Sequence, residues 1–338
     1  MITIQTPSRI HMGLIDLNGS IGRVDGGVGL ALEEPSIKIK GKECDEIIIE
    51  FDRKLFKKFN CEYIKNIEDR IYNISNKVLK TINEEGIYLK ILSLFPSHSG
   101  LGSGTQISLA VSKLITKIYG KDLNTYELAK ISGRGGTSGI GIGAFEYGGF
   151  LIDGGHSFGK GKDKEEFKPS SASKGVKPAP IIFRHDFDWE VILIIPKGEH
   201  IYGKKEVDIF KKYCPVPLNE VEKICHLVLM KMMPAVVEKN LEDFGDVVNK
   251  LQYLGFKKIE VNLQSDIVKD LIFELHKEKD NNVYSGLSSF GPTVYALGDK
   301  KLIVEKANEI FDKYGICGDI IITKANNNGY RIQWYYGV

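Results

Sequence analysis

The stretch Phe95-Pro-Ser-His-Ser-Gly-Leu-Gly-Ser-Gly-Thr-Gln106 constrains this chain more than any other. Three glycines, Gly100, Gly102 and Gly104, alternate with small or hydroxyl residues, and the chain then runs straight into 106–119 with apolar residues at 107, 111, 114 and 118. That spacing marks one face of a helix. Tyr88 to Leu94, just before the loop, reads as an apolar strand. A glycine loop between strand and helix brings backbone close to a ligand and points the free N–H groups of the first helical turn at it. An oxyanion, phosphate first, is the natural guest. A loop that merely turned the chain would not need the hydroxyls of Ser99, Ser103 and Thr105, nor a helix opening directly behind them.

With 338 residues the chain has room for two domains, each with its own core. Apolar residues at 42% and charged residues at 27% fit a globular protein, and no apolar run approaches the length of a membrane span. The opening Met-Ile-Thr-Ile-Gln lacks a basic head and a cleavable apolar stretch, so the cytoplasm is the expected location. A net charge of +2 from 46 basic and 44 acidic residues gives no nucleic-acid footprint. The five cysteines are scattered and never spaced as C-x-x-C, which predicts buried reduced thiols and neither a disulfide framework nor a zinc site.

Residues 1–50 read as strands and turns. Arg9 and His11 interrupt an apolar segment two positions apart, so along a strand both face the same side. Residues 17–32 read as a turn and a second glycine-rich loop holding Arg23 and Asp25, ahead of short strands at 36–42 and 46–51. From Lys54 to Glu85 isoleucines recur at helical steps, and the lysines and glutamates between them read as a solvated face. Asn124-Thr-Tyr-Glu127 matches a capping box. The segment 133–143, with six glycines, reads as a further loop before a strand at 147–153, and the polar 160–180 segment reads as a mobile loop with a lid as the alternative.

Trp189 to Pro196 is the strongest strand of the second half and opens the second domain, which gives expected boundaries of 1–185 and 186–338. Helices are expected over 219–253, broken at Pro234, and over 261–278 and 301–314. A third glycine–serine loop containing Ser289 and Gly291 leads into a strand, and strands at 318–324 and 330–335 close the chain. This order suits a ferredoxin-like sandwich in an α+β protein.

Three segments in this order resemble the superfamily of galactokinase, homoserine kinase, mevalonate kinase and phosphomevalonate kinase (GHMP). They are Thr6-Pro-Ser-Arg-Ile10, the loop from Pro96 to Gly104, and the motif from Ser285 to Ala296. The resemblance implies an N-terminal domain like domain 2 of ribosomal protein S5, a ferredoxin-like C-terminal domain, and a site in the cleft between them. Two departures tell against kinase chemistry. Where those kinases carry Ser-Gly-x-Asp this chain has Ser138-Gly-Ile-Gly141, and the second serine of their loop is Gly104. Glycine neither takes nor orients a proton.

Within the superfamily the chain is more similar to the beta-ribofuranosylaminobenzene 5'-phosphate synthase family of archaeal methanopterin biosynthesis. The likeness rests on 8–19, on 22–32, on the central loop with His98 and its Gly104-Thr-Gln106 ending, and on 133–145. That family condenses phosphoribosyl pyrophosphate with 4-aminobenzoate or 4-hydroxybenzoate and releases carbon dioxide and pyrophosphate. The resemblance thus implies a pentosyltransferase, with a homodimer as the expected assembly and small molecules as its only other partners. The loop from His98 to Gln106, Leu101 included, is expected to hold the diphosphate. Arg9, Arg23 and Arg134 are the expected fixed cations for the 5'-phosphate and the benzoate carboxylate. His11 is expected to bond the para substituent or pass its proton, with a satisfied core histidine as the alternative, while Ser289 and Gly291 shape the cleft. Magnesium is expected on the leaving group with no organic cofactor; Asp16 and Asp25 are candidate ligands and the set stays open. An ATP-dependent kinase and a non-catalytic nucleotide-binding protein on the same scaffold are the rival readings.

Overall fold

The computed structural model describes residues 1–133, 139–170, 172–173, 175–197 and 204–334. It is built on a long hairpin, β1 (Ile2–Asp16) and β2 (Arg23–Lys42), antiparallel from Ile2 opposite Gly41 to Asp16 opposite Asp25. The expected glycine loop at 22–27 is therefore mostly strand, and the turn is confined to the residues between β1 and β2. β3 (Ile47–Phe51) leads through α1 (Arg53–Lys58) and α2 (Cys61–Ile82) to β4 (Ile87–Ser93), which pairs parallel with β3 and antiparallel with β2. In α2 the Asn60 side chain accepts from the Tyr63 amide, and Ile64, Ile67, Ile71, Ile74 and Val78 form the buried stripe.

α3 (Ser103–Ile118) packs against α2 and the sheet, and α4 (Thr125–Ser132) opens on the expected capping box between Asn124 and Glu127. Next comes α5 (Gly139–Glu146), a helix where the glycines read as a loop. The glycines serve close packing. An ideal Cβ on Gly139 would lie 2.5 Å from Asp153 Cβ, and one on Gly29 of β2 would lie 2.3 Å from Ile140 Cγ2. β5 (Phe150–Asp153), β6 (His156–Ser157) and β7 (Ile181–His185) complete this side of the sheet.

β8 (Glu190–Pro196) is followed by α6 (Lys204–Tyr213), α7 (Leu218–Leu227), a π-helical turn at Val228–Met232 and α8 (Met233–Glu238). Pro234 follows the π-helical turn, and the backbone at Leu227, Val228, Met232 and Met233 stays right-handed helical, so the chain runs from α7 into α8 without the expected break. α9 (Leu241–Leu251), α10 (Gly255–Asn262), α11 (Asp266–Lys277), β9 (Val283–Leu287), β10 (Val294–Gly298), α12 (Lys300–Tyr314), β11 (Gly318–Lys324) and β12 (Arg331–Trp334) finish the chain. The second sheet, ordered β11-β8-β10-β9 and antiparallel, carries α11 and α12 in the expected ferredoxin-like arrangement. Alternation divides its faces: Ile192, Ile194, Val294 and Ala296 meet α11 and α12, while Val191, Leu193, Tyr295 and Leu297 join the core beneath the first sheet.

Two expectations change. β12, expected with the second domain, pairs with β1 at the edge of the first sheet, and one contiguous core runs through both halves. The cysteines are unpaired as expected, but Cys61, Cys225 and Cys317 are exposed and the other two half-buried. Among the described residues no helix is long and apolar enough to cross a membrane. Gly29→Ala should cost about 1–3 kcal/mol or more, because its Cβ would also meet Ile10 O at 2.7 Å; a lowered urea midpoint with an unchanged slope checks this.

Candidate active site

Leaving β4, the chain crosses the central loop with three residues in the left-handed region: His98 at φ 60, Gly100 at 84 and Gly102 at 80. Its shape is imposed by strand and loop neighbours. The Arg9 amide donates to Leu101 O at 3.1 Å, and Arg9 Nη1 donates to Gly100 O at 2.6 Å. Ser288 Oγ donates to that same Gly100 oxygen at 2.8 Å and accepts from the His11 amide at 3.0 Å. Thr293 Oγ1 donates to Ser99 O at 2.5 Å, and the Ser289 amide closes the circuit on His11 O at 2.9 Å. Only glycine fits at position 100, since an ideal Cβ would lie 2.3 Å from Ser288 O. Gln106 is the first residue whose amide reaches back into the helix, to Gly102 O at 3.2 Å. The amides of Ser103, Gly104 and Thr105 precede it and have no intrahelical acceptor.

These groups open on a cavity of about 1220 Å³. It is lined by Arg9, His11, His98, Gly100 and residues 102–105, by Glu206 and Phe210 of α6, by Glu260 of α10 and by the third loop, Ser289 to Gly291. Arg70 and Lys77 of α2, Lys130 of α4 and Lys177 add cations to its lining. Excess positive charge with helix-terminal amides suits polyanionic ligands.

Buried charge is concentrated under the cavity. Burial draws the Arg9 guanidinium down to about 10, opposed by Glu206 and Glu260, so it stays charged at neutral pH; its Nε is buried without a hydrogen-bond partner. Burial, then Arg9 and Lys257, hold the His11 imidazole well below its usual value, so it is neutral. Lys257 and Glu260 form an ion pair with side chains only 2% and 6% exposed, and Lys257 Nζ also donates to Leu287 O at 3.1 Å and Ser289 O at 3.3 Å. An ideal Cβ on Gly27 would lie 2.7 Å from Asp153 Oδ2 and 3.1 Å from His11 Nε2, so glycine leaves room for both groups.

Residues 69–149 match the model of the GHMP kinases N terminal domain. Beta-ribofuranosylphenol 5'-phosphate synthase of Methanocaldococcus jannaschii is 81% identical, over 97% of this chain and 99% of that protein. The Archaeoglobus fulgidus protein of the same name is 46% identical over 98% of this chain and all of its own. The chain belongs to the beta-ribofuranosylphenol 5'-phosphate synthase family. A solved Streptococcus pneumoniae phosphomevalonate kinase superimposes with a TM-score of 0.65 at 12% identity, covering 96% of this chain and 99% of that one, which shows the shared GHMP fold.

In this family member the structure brings together Arg9, His11, His98, Gly100, Gly102, Ser103, Gly104, Thr105, Ser289 and Gly291 around one cavity. Leu101 is buried beneath the loop, Ser99 Oγ is spent on Pro96 O at 2.8 Å, and Gln106 Nε2 donates to Gly141 O at 2.9 Å. Arg134 lies outside the described residues. Asp16, Arg23 and Asp25 are not among the cavity's lining residues. Asp16 caps the hairpin turn through the amides of Asn18 and Gly19, and Arg23 donates to Gly154 O and Gly155 O. Sequence reasoning missed Lys257, Glu260, Arg70, Lys77, Lys130, Lys177 and Phe210; the i, i+7 spacing of Arg70 and Lys77 on one helix face was the one local signal for any of them.

Asp25 anchors a cavity wall. Its carboxylate takes Lys164 Nζ at 2.9 Å and His156 Nδ1 at 2.6 Å, while His156 Nε2 meets Lys177 O at 3.0 Å. The expected mobile loop at 160–180 is thus tied at buried side chains. Asp25→Asn should release this wall, seen as faster limited proteolysis between 160 and 180 with the rest of the chain intact.

Asp153 offers a pH test. Burial pushes its carboxyl up to about 6, aided by Asp25 and opposed by the Gly155 amide. The folded state holds this proton more tightly than the unfolded chain, whose value is 3.8. Its contribution therefore favours folding below about pH 4 and is withdrawn as pH rises through about 6. Relative to Asp153→Asn, the wild type should lose up to about 3 kcal/mol between those limits, measured by denaturation at each pH.

Proposed function

We propose that this chain is a decarboxylating pentosyltransferase of methanopterin biosynthesis that joins phosphoribosyl pyrophosphate to 4-hydroxybenzoate, forming a C-riboside and releasing carbon dioxide and pyrophosphate. The observation that carries this reading is the amide-lined turn at Ser103 to Thr105, backed by Arg9, on a cavity large enough for both substrates. The phenol in the names of the relatives supports the hydroxy acid over 4-aminobenzoate.

The chemistry asks for charge stabilisation. The diphosphate leaves ribose C1, and its growing charge falls on fixed N–H dipoles and a desolvated guanidinium. The aromatic carbon bearing the carboxylate attacks C1, and loss of carbon dioxide restores the ring. The nucleophile is carbon, so the kinase carboxylate has no task here, consistent with Gly141 at its position. Among the described residues no cluster of three metal-ligating side chains exists, and Asp16 and Asp25 are both engaged elsewhere. The hydroxyls of Ser103 and Thr105 would help hold a magnesium ion bound with the diphosphate, and the ion would supply neutralisation of the leaving group's charge. The same reading takes the enzyme as a cytoplasmic homodimer.

Incubation with magnesium, phosphoribosyl pyrophosphate and carboxyl-labelled 4-hydroxybenzoate should release labelled carbon dioxide and pyrophosphate together. Arg9→Ala should lower kcat at least about a hundredfold while the circular dichroism spectrum is kept; consumption of ATP with an alcohol acceptor and no pyrophosphate release would favour the kinase instead.

A further inference from the structure

The cavity has two chemical characters. The central loop and its neighbours give it polar and cationic groups, whereas Leu14, Phe210 and Phe290 bring one apolar cluster to the same cavity. Phe290 is 6% exposed and clamped edge-on by Phe256, with ring centroids 6.0 Å apart at 81°; Phe256 in turn packs on Phe210 at 4.5 Å. A fixed aromatic wall suits a flat aromatic guest. Glu260 follows Phe256 by one helical turn on α10, so both lie on the same helix face. Lys257 and the two carbonyls it holds fix that carboxylate in place.

Resting on the function proposed above, we infer that the aromatic acid lies against Leu14, Phe210 and Phe290, and that Glu260 is the catalytic residue taking the proton of its 4-hydroxyl. Ring C1 bonds to ribose C1 as the bond to the diphosphate breaks and its electron pair departs with pyrophosphate. The 4-hydroxyl proton passes to Glu260, leaving a cyclohexadienone. The bond to the carboxylate then breaks, its electron pair restores the aromatic ring, and Glu260 returns the proton to oxygen. No proton is gained or lost overall. Burial pushes the Glu260 carboxyl up against the pull of Lys257 and Arg9, which suits a group that borrows and returns a proton. His11 is neutral and turns Nε2 toward Gly27, and Glu206 stands half-exposed on α6.

An acid whose ring needs no base provides the test. 4-Aminobenzoate donates its nitrogen lone pair without losing a proton, and 3,5-difluoro-4-hydroxybenzoate reaches the site with its hydroxyl already ionised near neutral pH. Glu260→Gln should lower kcat with 4-hydroxybenzoate by about a hundredfold or more, and lower it far less with whichever of the other two acids the wild type accepts. The KM for phosphoribosyl pyrophosphate should stay unchanged. Phe290→Leu should raise KM for every aromatic acid about tenfold without altering that for phosphoribosyl pyrophosphate. Should Glu260→Gln fail to fold, Glu260→Asp keeps the charge beside Lys257 and should give the same selective loss. Equal losses with all acids, or the contrast appearing at Glu206→Gln instead, would overturn the role of Glu260. A wild type turning over no acid would overturn the function itself, and the inference with it.

Discussion

Three segments far apart in the chain meet at one carbonyl, and the site depends on that meeting. Gly100 O accepts both from Arg9 Nη1 and from Ser288 Oγ, and the neighbouring carbonyls of Ser99 and Leu101 are taken by Thr293 and the Arg9 amide. Three successive carbonyls that would repel an anion are thereby engaged away from it. The amides that follow, at the head of α3, are the donors left over. An anion-binding loop carries few side chains with which to hold itself, so its order comes from strand β1 and the third glycine motif. Such donors are in place before substrate arrives, and preorganisation of this kind is what lets dipoles stabilise charge without reorganising.

The charges beneath the loop obey a second constraint. Arg9, Lys257 and Glu260 are all withdrawn from water, which is expensive unless each has partners. Arg9 has Gly100 O, Lys257 has Glu260 and two carbonyls, and His11 beside them gives up its charge. The result is a desolvated guanidinium whose field is stronger than it would be at a surface. Glu260 offsets part of that positive charge while remaining on the cavity wall.

How much of this was legible in the sequence follows from how local each signal is. The loop, the helix behind it and the shared side of Arg9 and His11 depend on spacings of a few residues, and the structure keeps them. The α5 helix was hidden because glycine-rich text reads as loop; its glycines are there for contact with Asp153 and Ile181, which a local pattern does not encode. Asp25 carries the charge expected of a site residue, yet its partners Lys164 and His156 lie more than 130 positions away, and they turn it into an anchor for the wall. Lys257 and Glu260 sit three apart on a helix, where the same letters usually mean a solvated pair. Only their burial against the third loop gives them another meaning. The lysines of α2 read as a solvated face for the same reason: helical periodicity shows which side is buried, not what a distant loop places opposite the exposed side.

The shared frame explains how neighbouring families can run different chemistry. A loop that holds phosphate oxygens by backbone amides binds the diphosphate without regard to which bond to it breaks. In a phosphoryl transfer the accepting hydroxyl must be deprotonated, so a carboxylate beside the loop matters. In a ribosyl transfer the diphosphate is the leaving group and needs only charge stabilisation, so glycine at 141 removes nothing the reaction uses. Gly141 O accepts from Gln106, while Gly139 and Gly143 let α5 lie close on β5 and Gly29 gives it room on β2. The missing carboxylate at 141 and the close seating of α5 through Gly139 and Gly143 fall on the same short helix, and the proposed ring chemistry rests instead on the aromatic rings and the buried Glu260 that line the cavity.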